Sequence, residues 1–441
     1  MDASVTTPQK SNPADIEAGD IELVPRAGRE IDFAENGLVN EHRVGYKTAT
    51  PFVIIGKYLT LLLAPVNLHF YYGYNVIPLV NWAHPIPILV TVILIVVVVF
   101  SIMRAKHFPA LTFGLVYLTL CLLALSNFGV LVTGMVGERL MYVGSLGFCI
   151  ALAAVLLQVF KVPKVNVTQY KQIPPVFFFA ISIIILGYSV RTITRNTVWK
   201  DRLTLFEHDT RNGYPSAKAQ QLAGLANVTK AQENFQNSEM YINKAKAYFG
   251  KSLSIYPDFT SALQGMAMLY AFKNDCANAM PFLKRSLEIE PFRPEVNYHY
   301  AVCLDQLEKY DTAAIYYERV ITQTPMDIVA YSNLSFDYYR LGLYERSIQV
   351  NQKAISLMPN QIDPYINIGK TYIQIKNYPE AIKYLERALQ LKSNDPQLIL
   401  GILDLHQRLG NEQAIAYYTD LCKRMGIPIP AQQQTPSNPN P

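Results

Sequence analysis

The chain has 441 residues, half of them apolar and only 17% charged, with 39 Lys and Arg against 34 Asp and Glu. That length holds two or three domains, and a net charge of +5 with no dense Lys/Arg stripe excludes a nucleic-acid footprint. The five cysteines and seven histidines are dispersed, without CxxC or HExxH spacing, so neither a zinc site nor a disulfide framework is indicated.

Residues 1–46 read as a polar tail. As far as Asn40 it carries eight acidic residues, three basic ones and three prolines, too little apolar surface to build a core. No basic segment precedes a short apolar run, so a cleaved signal peptide is not expected. The first apolar helix would act as an uncleaved signal-anchor.

Residues 47–191 read as a membrane region. Four runs, Ile86–Met103, Ala110–Asn127, Leu140–Phe160 and Pro175–Val190, approach the roughly 20 apolar residues needed to cross hydrocarbon. A fifth, Thr48–Val66, is interrupted by Gly56 and Lys57. Five crossings, with Arg104, Lys106 and His107 in one loop and Lys161, Lys164 and Lys171 in another, put both loops in the cytoplasm by the positive-inside rule. The N-terminus is then cytoplasmic and everything after Arg191 extracytoplasmic, although Arg191, Arg195, Lys200 and Arg202 fall on the side the rule disfavours.

The loop from Asn67 to Pro85 lacks Lys and Arg and carries Phe70, Tyr71, Tyr72, Tyr74 and Trp82. It reads either as an interfacial aromatic belt or as part of a wall for a lipid-linked or sugar substrate. Lys57 inside an apolar run, and Glu138 and Arg139 at the opening of another, either snorkel and satisfy the bundle interior or mark a site. A guanidinium fork fits phosphate oxygens, so Glu138 and Arg139 are the candidate lipid-phosphate site, and Arg139→Ala is expected to weaken polyprenyl-phosphate binding.

Residues 192–215 read as an amphipathic connector built on Trp199, Leu205 and Phe206. From 216 to 425 the pattern is repetitive. Pro257, Pro291, Pro325, Pro359 and Ser393 fall 34 residues apart, each behind a helical apolar run such as Leu287–Glu290. That period is the mark of tetratricopeptide (TPR) helix pairs, which bury their apolar faces by stacking. Small residues recur in register: Ala267, Ala301, Ser335 and Gly369 in first helices, Ala279, Ala313, Ser347 and Ala381 in second helices. Tyr298, Phe336, Tyr339, Arg340 and Lys370 fall on the concave side and suit an extended peptide. The lysine and asparagine set of carboxylate-clamp TPR domains is missing there, so a chaperone C-terminus is not the expected ligand. Residues 426–441, rich in Pro, Gln and Asn, read as a second polar tail. The fold class is all-α: a membrane helix bundle of about five spans followed by a TPR α-solenoid.

The segment Glu138-Arg-Leu-Met-Tyr-Val-Gly-Ser-Leu-Gly-Phe-Cys149 resembles the E-R-x-x-Y-x-P-S-x-G-x-C segment of the TMTC family. Those are membrane proteins with TPR repeats, related to GT-C protein O-mannosyltransferases. Ala34–Val39, Gly56–Leu59, Tyr72–Pro78 and Arg195–Trp199 look like further family segments, and the resemblance runs from about Asp32 to the end. Gly144 stands where the family pattern has proline. The resemblance implies a polyprenyl-phosphate sugar as donor if the chain is active, and a catalytic carboxylate in an early outward loop. A short polar tail stands in place of that loop here. Sugar transfer needs a carboxylate to orient or deprotonate the acceptor, and only Glu138 lies near the outward face. The expectation is therefore an accessory or acceptor-recruiting protein for O-glycosylation, working with a separate catalytic subunit. An active GT-C transferase and a scaffold unconnected with sugars are the alternatives.

Overall fold

A computed structural model of the chain describes residues 33–39, 41–66, 68–162, 173–211 and 214–430. The tails before 33 and after 430, with Lys164 and Lys171, lie outside the described residues. The fold is helical, and among the described residues there is no β-strand, only an isolated bridge at Tyr72. The chain divides into two compact units, whose boundary falls between Met266 and Ala267.

The first unit begins with α1 (Val44–Leu63), α2 (Pro85–Arg104), α3 (Pro109–Ala124), α4 (Met141–Val159) and α5 (Pro175–Asn196). Proline opens α2, α3 and α5, where its missing N–H has no intrahelical partner to lose. Three helical stretches are long and apolar enough to cross a bilayer: Pro85–Arg104, Glu138–Val159 and Pro175–Lys200. α3 is equally apolar but shorter, at 16 residues. Their surfaces are greasy outward, with Val96 60%, Ile102 74% and Leu186 64% exposed, as a lipid-facing helix requires. α3 and α4 pack backbone to backbone. A Cβ on Gly114 would lie 2.7 Å from the Gly147 carbonyl oxygen and the Ala151 nitrogen, the close approach that small residues permit between membrane helices.

α1 differs from the spans. Ala49, Ile54, Ile55 and Tyr58 are fully buried in a protein core with Leu38, Tyr72, Val80, Leu122, Met135 and Met141. It is the counterpart of the expected run Thr48–Val66, and it is enclosed by protein where the three spans are not.

After α5 the helix passes through a tight turn (Thr197–Lys200) into α6 (Arg202–Asp209), capped by the Asp201 carboxylate on the Thr204 N–H. The predicted connector thus starts as an extension of the last span. Leu205 and Phe206 of α6 are buried against Leu222, Ala223 and Ala226 of α7 (Ala217–Glu233), which pairs with α8 (Ser238–Ile255). Phe249 of α8 fills the space left by Gly224 and Gly265. Residues 33–39 form a strap on this part of the unit: Phe33 rests on Tyr74 and Tyr256, at 4.8 and 5.6 Å between ring centres. Glu35 pairs with Lys218 at 3.4 Å, and the Asn36 amide donates to Asn127 Oδ1 and the Val132 carbonyl.

α9 (Thr260–Phe272) runs across the boundary. The second unit continues with α10 (Cys276–Ile289), α11 (Pro294–Gln306), α12 (Tyr310–Gln323), α13 (Ile328–Arg340) and α14 (Tyr344–Leu357). It closes with α15 (Asp363–Gln374), α16 (Tyr378–Leu391), α17 (Pro396–Leu409) and α18 (Glu412–Arg424). Each turn inside a pair holds one left-handed residue, and these recur every 34 positions: Asn274, Glu308, Gly342, Lys376 and Gly410. The register residues Ala279, Ala301, Ala313 and Ala381 are completely buried. Gly369 takes the same role, since a Cβ there would meet Leu385 at 2.7 Å.

One expectation from the cysteines is overturned. Cys276 and Cys303 form a disulfide, with Cα atoms 5.2 Å apart. Cysteines scattered singly in sequence are brought together because α10 packs against α11 of the next pair, and the start of α10 faces the later part of α11.

Candidate functional site

A wide concavity lies in the first unit. It is a cavity of about 1280 Å³ lined by α1, the loop before α2, the first turns of α2, the end of α5 and the residues that follow α6. One part of its wall is apolar, formed by Val53, Leu63, Leu89, Val90 and Ile93. The other part carries Lys57, Arg191, Arg195, His208 and Arg211.

These charges come from distant positions, and helix geometry explains why they converge. Arg191 and Arg195 are four residues apart on α5 and so share a face. The Arg191 Nε donates to the Pro65 carbonyl at 3.1 Å. Arg195 donates to the buried Asp209 carboxylate at 3.0 Å, and Asp209 also accepts from the Phe70 backbone N–H. Lys57 lies 5.4 Å from the centre of the Tyr72 ring. Among the described residues, Lys57, Arg191 and Arg211 have no carboxylate partner, so the wall holds uncompensated positive charge.

His69 and Tyr214 complete the wall, their rings stacked at 3.5 Å. Burial, reinforced by Arg195 and Lys57 and opposed by Asp209, pushes His69 down to about 4, so it is neutral at neutral pH. Burial likewise pushes the Tyr214 hydroxyl well above its usual range. His69 Nδ1 and the Tyr214 hydroxyl are buried without a hydrogen-bond partner among the described residues. Orphaned polar atoms in a cavity wall are costly unless something fills their need.

The two carboxylates near the cavity are already engaged. Glu138 accepts from the Tyr72 hydroxyl at 2.6 Å and the His69 N–H at 2.9 Å. Asp209 is held by Arg195 and Phe70. Among the described residues that line the cavity there is no Asp or Glu. The arrangement can hold an anion attached to an apolar chain; it offers no carboxylate positioned as a base.

Of the residues singled out from sequence, Glu138 thus stands behind this wall. Arg139 is exposed and is not among the lining residues. In the second unit, Phe336, Tyr339 and Lys370 come together in a pocket of about 290 Å³ with Asn333, Ile366 and Asn367. Burial lowers the pKa of Lys370. Tyr298 instead packs edge-on against the buried Tyr317, and the Arg340 guanidinium lies 4.7 Å over the Tyr310 ring and 5.7 Å from the centre of the Phe336 ring. Sequence reasoning missed the cationic wall. The available signal was the group Arg191, Arg195, Lys200 and Arg202, gathered directly behind the last apolar run.

Two matches to the tetratricopeptide repeat family cover residues 294–325 and 327–394. Among curated proteins, the chain is similar to the mouse (Mus musculus) protein O-mannosyl-transferase TMTC1, 28% identical over 47% of this chain and 21% of that protein. It is also similar to human (Homo sapiens) TMTC3, 31% identical over 35% of this chain and 16% of that protein. Drosophila melanogaster Tmtc2 is 26% identical over 32% of this chain and 14% of its own length. Solved structures with a likeness include YrrB, described as a TPR protein with an unusual peptide-binding site (18% identity, TM-score 0.39, 44% of this chain and 94% of that one). Another is the type IV pilus biogenesis factor PilW (17% identity, TM-score 0.39, 48% and 96%). The chain is a membrane-type, TPR-bearing helical protein similar in part to the TMTC protein O-mannosyl-transferases, and its match spans about a fifth of their length.

Proposed function

We propose that the protein serves protein O-glycosylation as a membrane-bound, acceptor-recruiting partner: its first unit holds the phosphate of a polyprenyl-phosphate lipid and its TPR groove holds a polypeptide. The observation that carries the reading is the cavity in which, among the described residues, Lys57, Arg191 and Arg211 lack carboxylate partners beside an apolar wall. A phosphate would meet those cations and the orphaned His69 and Tyr214 atoms, while its hydrocarbon chain follows Leu89 and Ile93. The similarity to TMTC proteins supports the link to sugar transfer. Because no carboxylate lines the cavity among the described residues, the reading gives the transfer step to a separate catalytic polypeptide. The aromatic and cationic pocket at Phe336, Tyr339 and Lys370 suits an extended acceptor segment. The Cys276–Cys303 disulfide supports an extracytoplasmic position for the repeats, because such bonds persist in oxidising compartments.

The test is binding of polyprenyl phosphate, against the uncharged polyprenol, to the full chain in lipid nanodiscs. Binding of the phosphate alone is expected, weakened about tenfold by Arg191→Ala or Arg211→Ala, the loss of one charge-assisted contact. Arg139→Ala is expected to bind as the parent does. Equal binding of phosphate and alcohol, or no effect of the cavity arginines, would leave a TPR scaffold unconnected with lipid-linked sugars.

A further inference from the structure

We infer that α1 does not cross the bilayer but lies in its interfacial layer, across the ends of the spans, so that the N-terminal strap and the α7–α8 pair occupy the same side of the membrane. A helix of 20 residues is about 30 Å long, close to the hydrocarbon thickness. Were α1 to cross, only one of its ends could reach the loops at the face where α2 starts and α3 ends. Both ends do. Near its start, Thr48 accepts from the Trp82 indole at 2.9 Å, and Thr50 exchanges hydrogen bonds with the backbone of Val80. Phe52 meets Trp82 and Phe128, each at 5.2 Å. In its middle, the Tyr58 hydroxyl accepts from the Gly137 N–H at 2.9 Å. At its end, the Leu62 carbonyl accepts from the Tyr188 hydroxyl and the Pro65 carbonyl from Arg191.

Every one of those partners sits in the loop before α2, in the loop between α3 and α4, or in the last turns of α5. The buried span residues of the α1 core come mostly from the same ends, Val90 early in α2, Leu122 late in α3 and Met141 opening α4, with Leu118 deeper in α3. Leu94 and Phe148, nearer mid-span, pack against this core only partly buried. The strap belongs to this face too, through Phe33 on Tyr74 and Tyr256 and through Asn36 on Asn127. Four crossings by α2–α5 return the chain to the face it started from, which closes the topology. An interfacial α1 also places Lys57 at headgroup depth, where an ammonium is cheap, instead of in mid-hydrocarbon, where it is not.

Sidedness of single cysteines, in a full-length chain whose free Cys121, Cys149 and Cys422 are replaced by alanine, decides the matter. The reporters are Lys47→Cys at the start of α1, Lys251→Cys in α8 and Lys106→Cys between α2 and α3, all at exposed positions. A membrane-impermeant maleimide is added to sealed vesicles of known orientation, with detergent-opened vesicles as the total. Lys47→Cys and Lys251→Cys are expected to label together, at least tenfold over Lys106→Cys, which labels from the opposite side. Labelling of Lys47→Cys in company with Lys106→Cys would overturn the inference. Should the Lys47→Cys chain not insert, Arg43→Cys, one turn earlier and exposed, gives the same reading, and failure of both to follow Lys251→Cys counts against it.

Discussion

Asp337 of α13 is fully buried, with Asp305 of α11 as its neighbour and the Tyr317 hydroxyl donating to Asp305 at 2.7 Å. Burial, with the Asp305 carboxyl beside it, holds Asp337 well above the usual carboxylate range. The folded chain therefore keeps a proton that the unfolded chain releases near pH 4. Stability of the repeats is greatest below that value and falls as pH rises through the raised folded value. Thermal melts of the full chain between pH 5 and 9 are expected to show this decline, and Asp337→Asn, which needs no proton, to flatten it. A second residue-scale test lies at α3–α4. Gly147→Ala would press a methyl group onto the Gly114 carbonyl oxygen, 2.7 Å away. It is expected to cost about 1–3 kcal/mol in detergent melts, whereas Gly187→Ala, with open space around it, is expected to cost nothing.

Among the elements, the turn inside each pair repeats its backbone more faithfully than its sequence. The left-handed position is Gly at 342 and 410 but Asn274, Glu308 and Lys376 elsewhere. Left-handed geometry strains residues with a Cβ, so Glu308→Gly and Lys376→Gly are each expected to raise stability by up to about 1 kcal/mol, and Gly342→Ala to lower it by about as much. Chemical denaturation of the full chain checks all three. The period itself was plain in the sequence because the prolines at 257, 291, 325 and 359 end second helices in register. Individual side-chain directions were not. Tyr298 and Arg340 share the concave side with Phe336 in register, but Tyr317 draws the Tyr298 ring toward the core, while Arg340 stays over both the Phe336 and the Tyr310 rings. The disulfide was hidden for a related reason: the two cysteines belong to different repeats, and only the stacking of α10 on α11 makes them neighbours.

For the whole molecule, what the linear pattern could not carry was convergence. Lys57 and Arg211 are far apart in the chain, and nothing in the local sequence of either announces the other; the cavity exists because α1 and the end of α5 meet at the loop before α2. The spans themselves were legible, since runs without a polar face have one physical use. α1 is the less legible run, because Gly56 and Lys57 interrupt it and burial in protein and burial in lipid draw on the same apolar residues. Compartment is checked by alkylating the unreduced chain under denaturing conditions: Cys121, Cys149 and Cys422 are expected to react, with Cys276 and Cys303 reacting only after reduction. Five reactive thiols before reduction would place the repeats in a reducing compartment.

A stack of helical hairpins is a spring, yielding a little at every joint when a bound chain tugs on it. Here the sulfur bridge between α10 and α11 welds one of those joints. Bending under load is then left to the joints without a bridge, on either side of it.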